Sequence, residues 1–161
     1  MERLATRIDR IVEYTLVLLM ATMVMVVTWQ VFTRFVLNNP SSFTEELSTY
    51  LLIWISLIGA AYAYRKGAHL GIDFLYRMMK PLGRRVTVYI QGVAVIIFSL
   101  LALVIGGIRL VYITLALHQT SAALRIPIGY IYAVLPISGL LLIFYAIIFM
   151  LNYNRKQHVD V

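Results

Sequence analysis

The hydrophobic pattern of this chain consists of four long segments that contain no charged side chain. They cover residues 14–33, 47–64, 86–108 and 126–154. Because an α-helix rises about 1.5 Å per residue and the hydrocarbon core of a bilayer is about 30 Å thick, each segment is long enough to cross a membrane as a helix. The pattern therefore predicts an all-α integral membrane protein with four transmembrane helices.

The predicted architecture is a single membrane domain over residues 1–161, with spans near residues 14–35, 45–64, 86–110 and 127–152. Apolar residues resume after Arg109, which predicts a long third helix that tilts or protrudes, with Arg109 reaching the lipid headgroups near its end. Pro136 lies within the fourth span, where it frees the carbonyl of Tyr132 and predicts a kink.

The composition agrees with a membrane protein and argues against other classes. Hydrophobic residues make up 61% of the chain and charged residues 13%, with a mean hydropathy of +0.86, outside the range of soluble domains. The net charge of +7 is spread over short clusters between apolar segments, so we expect no nucleic acid partner. With no cysteine, and with its three histidines in loops or the C-terminal tail, the chain is predicted to hold no metal or cofactor.

The four apolar segments also lack the groups that move ions. Ion relays and coupling sites normally place Asp, Glu, Lys, Arg or His at bilayer depth, and none of these occurs within the segments. We therefore expect the chain to cross the membrane without translocating a solute by itself. We also expect no catalytic residue and no enzyme activity.

Lysine and arginine residues are distributed unevenly between the two sides of the predicted topology. The N-terminal tail, the second loop and the C-terminal tail hold three, six and two of them, 11 in total, against one and two, 3 in total, in the first and third loops. The positive-inside rule then predicts that both termini and the second loop are cytoplasmic. The first and third loops are predicted to face outward.

Two cytoplasmic segments are typical of amphipathic helices that lie on a membrane surface. In the second loop, charged residues recur at positions 73, 77, 80 and 84, which predicts an interfacial helix near residues 71–80. At the N-terminus, the arginines at positions 3, 7 and 10 share one face, while Leu4, Ile8 and Ile11 share another. Each segment is an interfacial anchor for anionic lipid headgroups or a specific partner site, and the pattern leaves both open.

The outward connection between spans one and two carries an acidic corner. Ser42 and Glu45 fit a capping box, and Glu45 and Glu46 lie in a first helical turn, where the helix dipole favours anions. Alternatively, the acidic pair forms a polar contact with another protein or subunit, together with Arg34 on the previous span. Spacing alone does not decide between these interpretations.

Small residues recur along the second span. Ser56, Gly59, Ala60 and Ala63 provide the spacing that lets membrane helices approach closely. The pattern predicts that a neighbouring helix packs there, either from this chain or from another subunit.

One run of residues joins these features from the end of the first span to the second loop. It comprises Arg34 in RFVL, the Glu45 and Glu46 pair, Trp54, Gly59 and Ala60, Arg65 and Lys66, and His69 before the sequence GID. This run resembles the small membrane subunit of tripartite ATP-independent periplasmic (TRAP) transporters. Ile126 and Pro127, together with Leu135 and Pro136, are similar to the fourth-span pattern of the same family.

The resemblance implies a multi-pass protein of the bacterial inner membrane that pairs with a much larger membrane subunit, where substrate and sodium ions bind. A periplasmic substrate-binding protein would deliver an organic acid, such as a sialic acid, a dicarboxylate or a sugar acid. This chain would be the scaffold that anchors the large subunit in the lipid bilayer. The contact candidates that the resemblance carries over are Arg34, Glu45 and Glu46 on the outer side, and Arg65, Lys66 and His69 on the inner side.

Two other classes of four-helix membrane protein are alternatives. A self-sufficient small secondary transporter would need a carboxylate within the membrane, yet Glu13 precedes the first apolar segment. A haem-bearing electron-transfer anchor would need paired histidines at helical spacing, whereas His69, His118 and His158 lie in loops or the tail.

Overall fold

The computed structural model describes residues 2–39, 41–66 and 81–157, and these ranges are almost entirely helical. Within them no β-strand occurs, apart from an isolated bridge between Thr120 and Pro127. A π-helical segment, Ser99–Ile105, separates α3 from α4. The helices are α1 Glu2–Phe35, α2 Ser42–Arg65, α3 Pro81–Phe98, α4 Gly106–Ala116, α5 Ile128–Tyr132 and α6 Val134–Gln157.

Four helical stretches are long and apolar enough to cross a membrane, which confirms the predicted fold class. They are Ala5–Phe35, Ser42–Arg65, Val86–Ala116 and Ile128–Leu151. Only 6% of the most apolar window of the first stretch is buried, against 33% in the fourth. A helix that exposes so many apolar side chains requires lipid or another protein around it, because water would not solvate them.

Two helices are longer than the spans predicted near residues 14–35 and 86–110. The amphipathic N-terminal segment is continuous with the first span, since α1 runs without interruption from Glu2 to Phe35. The third apolar helix extends beyond Arg109 to Ala116, as the resumed apolar pattern predicts. The interfacial helix predicted near residues 71–80 lies outside the described residues.

The chain divides into two compact units, each made of two stretches of sequence. The first unit comprises Met1–Gly59 and Arg109–Val134, and the second comprises Ala60–Ile108 and Leu135–Val161. Small and hydroxyl-bearing side chains are prominent among the buried residues of both units. They include Ala5, Thr33, Thr44, Thr114 and Ser121 in the first, and Ala61, Ser99, Ser138 and Ala146 in the second.

Glycines bring backbone close to backbone inside the second unit. A Cβ atom on Gly107 would lie 2.8 Å from the Leu135 Cβ and 2.9 Å from the Pro136 Cδ. A Cβ atom on Gly139 would lie 2.8 Å from the Leu103 Cβ in the π-helical segment. In a bilayer the hydrophobic effect does not drive helices together, because lipid tails are as apolar as the side chains. Close contacts of this kind instead stabilise the helix pair through dispersion attraction.

The fourth apolar stretch departs locally from regular α-helix close to its proline. Ala133 forms a turn between α5 and α6, and Pro136 lies three residues beyond it. Pro136 has no backbone N–H for the carbonyl of Tyr132, so a regular helix cannot pass through this point. Ala133 keeps a right-handed helical conformation and its N–H donates to the Gly129 carbonyl at 3.1 Å, so the structure has a local irregularity near Pro136 within one apolar helical stretch and not a break.

Candidate functional site

The two glutamates at the start of α2, Glu45 and Glu46, have different surroundings. The Glu46 carboxylate accepts hydrogen bonds from three successive backbone N–H groups in the connection between α4 and α5. The Ala122 nitrogen lies 3.2 Å from Oε1, and the nitrogens of Ala123 and Leu124 lie 2.7 and 3.0 Å from Oε2. Hydrogen bonds to a carboxylate are roughly twice as strong as neutral ones, so Glu46 holds this connection against α2.

Two further polar side chains complete this site. The Tyr50 hydroxyl donates to Oε1 of Glu46 at 2.7 Å, from one helical turn further along α2. The Oγ of Ser121, a buried residue, accepts from the Leu124 N–H at 3.2 Å. We call Glu46, Tyr50, Ser121 and residues 122–124 the Glu46 clamp.

The connection that the Glu46 clamp holds has an unusual backbone. His118 and Arg125 adopt positive φ angles of 48° and 56°, a region that costs a residue other than glycine of order 1–3 kcal/mol. Two backbone hydrogen bonds of 2.9 Å close it, from the Ser121 N–H to the Ile126 carbonyl and from the Ile128 N–H to the Gln119 carbonyl. Such conformations persist only where the surroundings fix them, and the clamp contributes to that restraint.

Glu45 has an exposed side chain, in contrast to its neighbour. Its backbone carbonyl accepts from the hydroxyls of Ser48 and Thr49, and its backbone N–H donates to the carbonyl of Ser41 at 3.3 Å. Since α2 begins at Ser42, that serine is the first helical residue and not the N-cap of the predicted capping box. Glu45 is therefore the member of the pair whose carboxylate is open to another molecule, and its contact with a partner stays a prediction.

The other outer candidate, Arg34, is also exposed near the end of α1. Its guanidinium lies 5.9 Å from the centroid of the Phe35 ring, a distance at which cation–π attraction operates. Phe35 is itself 72% exposed, so this pair presents charge and aromatic surface together. Its role in binding a partner also stays a prediction.

The inner candidates lie at the end of α2. Arg65 is the last residue of the helix and is half-buried, and Lys66 is exposed with its ammonium 5.2 Å from the centroid of the Tyr62 ring. Basic residues in a last turn are stabilised by the negative end of the helix dipole. His69 lies outside the described residues.

The Trp54 side chain, in the membrane-spanning part of α2, forms a hydrogen bond with the backbone near the end of α5. The Trp54 Nε1 donates to the carbonyl of Ile131 at 3.1 Å, two residues before Ala133. A hydrogen bond in an apolar environment is worth more than in water, so this indole stabilises the contact between α2 and the end of α5.

Replacing Trp54 by phenylalanine should lower the free energy of unfolding by about 1 kcal/mol, because the hydrogen bond from the indole N–H to the Ile131 carbonyl is lost while most of the apolar ring area remains. Thermal unfolding in detergent, followed by circular dichroism, measures this change. Trp29, which is 55% exposed, provides the matched control, and its replacement by phenylalanine should change stability by less than about 0.5 kcal/mol. Equal effects at both positions would contradict a structural role for the indole N–H.

Comparison with known proteins decides the family. The family model described as tripartite ATP-independent periplasmic transporters, DctQ component, matches residues 23–155 of this chain. The chain belongs to this family. The match includes the Glu46 clamp, Arg34, Trp54 and most of the fourth apolar stretch, so the resemblance inferred from the sequence is confirmed.

Several curated relatives are TRAP small permease proteins. The chain is 31% identical over 134 residues to the sialic acid TRAP transporter small permease protein SiaQ of Vibrio cholerae, covering 79% of this chain and 77% of the relative. It is 29% identical over 100 residues to the C4-dicarboxylate TRAP transporter small permease protein DctQ of Rhodobacter capsulatus, covering 62% and 44%. A third similarity, 34% identity over 58 residues, is to the sialic acid TRAP transporter permease protein SiaT of Haemophilus influenzae, covering 36% and 9%.

The small residues predicted to pack in this TRAP subunit are not uniformly buried. Ser56 and Ala60 are exposed, whereas Gly59 and Ala63 are half-buried, with the Gly59 Cβ position 3.9 Å from the Leu16 side chain. The exposed members of the set are available to a helix of another subunit, and that contact stays a prediction.

Sequence reasoning missed the tightest packing positions and the Glu46 clamp. The closest contacts between helices occur at glycines of α3, α4, α5 and α6. These glycines lie in apolar segments and do not recur at the spacing of three or four residues that marks a packing face. The clamp joins residues more than 70 positions apart through backbone N–H groups, which carry no sequence signal. These glycines are Gly92, Gly107, Gly129 and Gly139.

Proposed function

We propose that this chain is the scaffold subunit of a sodium-driven, binding-protein-dependent TRAP transporter that takes up an organic acid. It supports a larger membrane subunit that binds the substrate and the coupling ions. The observation that carries the proposal is the family match over residues 23–155 in a chain whose four apolar segments contain no Asp, Glu, Lys, Arg or His. A subunit of this kind supplies membrane surface and packing, and leaves ion coordination to its partner.

The pairing with a large subunit is supported by the similarity to SiaT. The 58 matching residues make up 36% of this chain but only 9% of that permease, so a segment similar to this chain is part of a much longer polypeptide there. Segments that share one polypeptide are held at high effective concentration. We infer that this chain achieves the same proximity by non-covalent association with a separate large permease.

The proposed location of the protein is the inner membrane of a bacterium, with both termini and the second loop in the cytoplasm. The distribution of 11 lysine and arginine residues against 3 supports this orientation. It puts Arg34, Glu45 and the connection at residues 117–127 on the periplasmic side. A periplasmic binding protein would then meet the exposed Glu45 carboxylate and the Arg34 guanidinium there.

The proposed cargo is a carboxylate-bearing organic acid. The names of the relatives specify sialic acid for SiaQ and SiaT and C4-dicarboxylates for DctQ, and both kinds of molecule are anionic acids. Residues that choose between them would lie on the large subunit and on the binding protein. The proposal therefore assigns this chain a role that does not depend on which acid is carried.

Reconstitution into liposomes tests the proposal directly. Vesicles that contain this chain and its large partner, supplied with the binding protein and an inward sodium gradient, should accumulate labelled sialic acid or succinate. Uptake should fall to the level of empty vesicles when any one protein is omitted, because each provides a different step. Replacement of external sodium by potassium should abolish uptake as well.

The omission series also separates the alternatives. Uptake by this chain alone would replace the proposal with a self-sufficient small transporter. Full uptake by the large subunit and binding protein without this chain would contradict the scaffold role. Uptake that persists in potassium would contradict sodium coupling while leaving the subunit assignment intact.

A further inference from the structure

Arg109 is an exposed charge within the third apolar stretch. It lies inside Val86–Ala116, and the seven residues that follow it in α4 carry no charge. Tyr112 and Ile113, three and four residues further on, lie on the same helical face and are 73% and 40% exposed. The exposed surface of this part of α4 therefore consists of one guanidinium group among apolar side chains.

The Glu46 clamp fixes the depth of the outer end of α4. It joins residues 122–124 to Glu46, and the charge-free segment of α2 begins at the next residue, Leu47. The connection after α4 therefore lies at the outer boundary of the hydrocarbon core. Arg109 lies seven residues inward from Ala116, the end of α4, which corresponds to a depth of about 10 Å below that boundary.

Contacts between α2, α4 and α5 give a second measure of this depth. Trp54 lies eight residues, about 12 Å, inward from the clamp along α2, and its indole donates to the Ile131 carbonyl. Gly129, two residues before Ile131, is level with Leu115, because a Cβ atom on Gly129 would lie 2.5 Å from the Leu115 Cγ. Leu115 is therefore about 9 Å deep, and Arg109, six residues further inward, is about 18 Å deep.

The two depths, about 10 and about 18 Å, lie on either side of the bilayer midplane, which is about 15 Å inside the hydrocarbon boundary. All the residues that define them belong to the first unit of the chain. An extended arginine side chain reaches about 6 Å from its Cα, so the Arg109 guanidinium does not reach the headgroup layer from this depth. The position of Arg109 therefore argues against the lipid headgroup contact that the sequence pattern predicts.

The sequence offers Arg109 no acidic residue within an apolar segment. Glu45 and Glu46 lie at the outer end of α2, where the Glu46 carboxylate is held by the clamp. The other five acidic residues lie before the first apolar segment, in the second loop and in the C-terminal tail, at Glu2, Asp9, Glu13, Asp73 and Asp160. Among the residues that the structure describes, Arg109 makes no ion pair or side-chain hydrogen bond. A charge at this depth is costly unless it is paired, so its counter-charge comes from another molecule.

We propose that Arg109 forms an ion pair with a carboxylate on a membrane helix of the large permease, and that Tyr112 and Ile113 pack against the same helix. This inference rests on the proposed function, since it requires a separate large subunit. A guanidinium donates two parallel hydrogen bonds to a carboxylate, and an apolar environment strengthens them. Because arginine stays protonated, the pair holds two helices together and does not coordinate a sodium ion.

The affinity of the full chain for the large permease in detergent micelles, measured by thermophoresis of the labelled chain, tests this proposal. Arg109→Gln should weaken binding about 30-fold or more, because it leaves the permease carboxylate buried and unpaired. Arg109→Lys keeps the charge but loses the parallel hydrogen bonds and should have an intermediate affinity. Arg125→Gln is the matched control. It removes the same charge from an exposed residue of the connection and should bind within about twofold of the unaltered chain.

The outcomes separate the ion pair from the proposed function. Equal affinities of the unaltered chain and Arg109→Gln would overturn the ion pair and leave the subunit pairing intact, as expected if Arg109 binds a lipid phosphate. An equal loss in Arg109→Gln and Arg125→Gln would also overturn it, because general charge attraction would then explain the binding. No binding of the unaltered chain would contradict the proposed function, and this proposal with it.

Thermal unfolding of the isolated chain distinguishes a lost ion pair from a misfolded variant. Arg109→Gln should unfold at the same temperature as the unaltered chain or at a higher one, because the guanidinium has no partner until the permease binds. A lower unfolding temperature would show that Arg109 stabilises the chain itself and would overturn the proposal.

Discussion

Glu46→Ala should release the connection between α4 and α5 and make it accessible to protease. Three backbone N–H groups and the Tyr50 hydroxyl lose their common acceptor, and the two positive φ angles at His118 and Arg125 lose a restraint. We expect trypsin to cleave after Arg125 about tenfold faster than in the unaltered chain, because cleavage requires local opening of this segment. Mass spectrometry of the fragment that begins at Ile126 measures the rate.

The neighbouring glutamate provides the matched control for this experiment. Glu45→Ala removes the same kind of side chain one residue away, but the Glu45 carboxylate is exposed and does not touch the connection. Its cleavage rate should equal that of the unaltered chain. Glu46→Gln keeps the size and one acceptor oxygen and should give an intermediate rate, since the charge-assisted character is lost. Equal rates for the two alanine variants would contradict the Glu46 clamp.

A second large effect is expected from Gly107→Ala. The added methyl group would lie 2.8 Å from the Leu135 Cβ and within 3.1 Å of the Pro136 Cδ and N, atoms that cannot move aside as a flexible side chain can. Overpacking of this kind costs about 1–3 kcal/mol, and we expect a loss of that size in the free energy of unfolding. Thermal unfolding in a mild detergent measures it.

The adjacent glycine is a control in the same helix. At Gly106 the nearest atom to an added Cβ is the Leu101 carbonyl oxygen at 3.5 Å, an ordinary contact distance. Because alanine is a better helix former than glycine by up to about 1 kcal/mol, Gly106→Ala should be neutral or stabilising. A destabilisation of similar size at both positions would contradict the close approach at Gly107.

The sequence was sufficient to predict the membrane fold, because that fold depends on the length and composition of the apolar segments. Charge-free segments of the right length define four helices in a bilayer whatever their tertiary contacts, and all four are present. The distortion at Pro136 was predictable for a similar reason, since a missing N–H acts locally. The seven-residue π-helical segment Ser99–Ile105 has no such local cause in the sequence and was not anticipated.

The candidate site was predictable only in part. The acidic pair stood out from the sequence, but its two members are alike in type and adjacent in position, so their different surroundings could not be inferred. Those surroundings depend on which side chain of α2 points at the connection after α4.

The Glu46 clamp has a consequence for how this connection can vary among related subunits. Its donors are backbone N–H groups, so any amino acid except proline at positions 122, 123 and 124 preserves the same three hydrogen bonds. One glutamate thus fixes the path of the chain while leaving the adjacent side chains open to substitution. A change of side chain at positions 122–124 would alter the surface that this connection presents without rebuilding the turn that displays it.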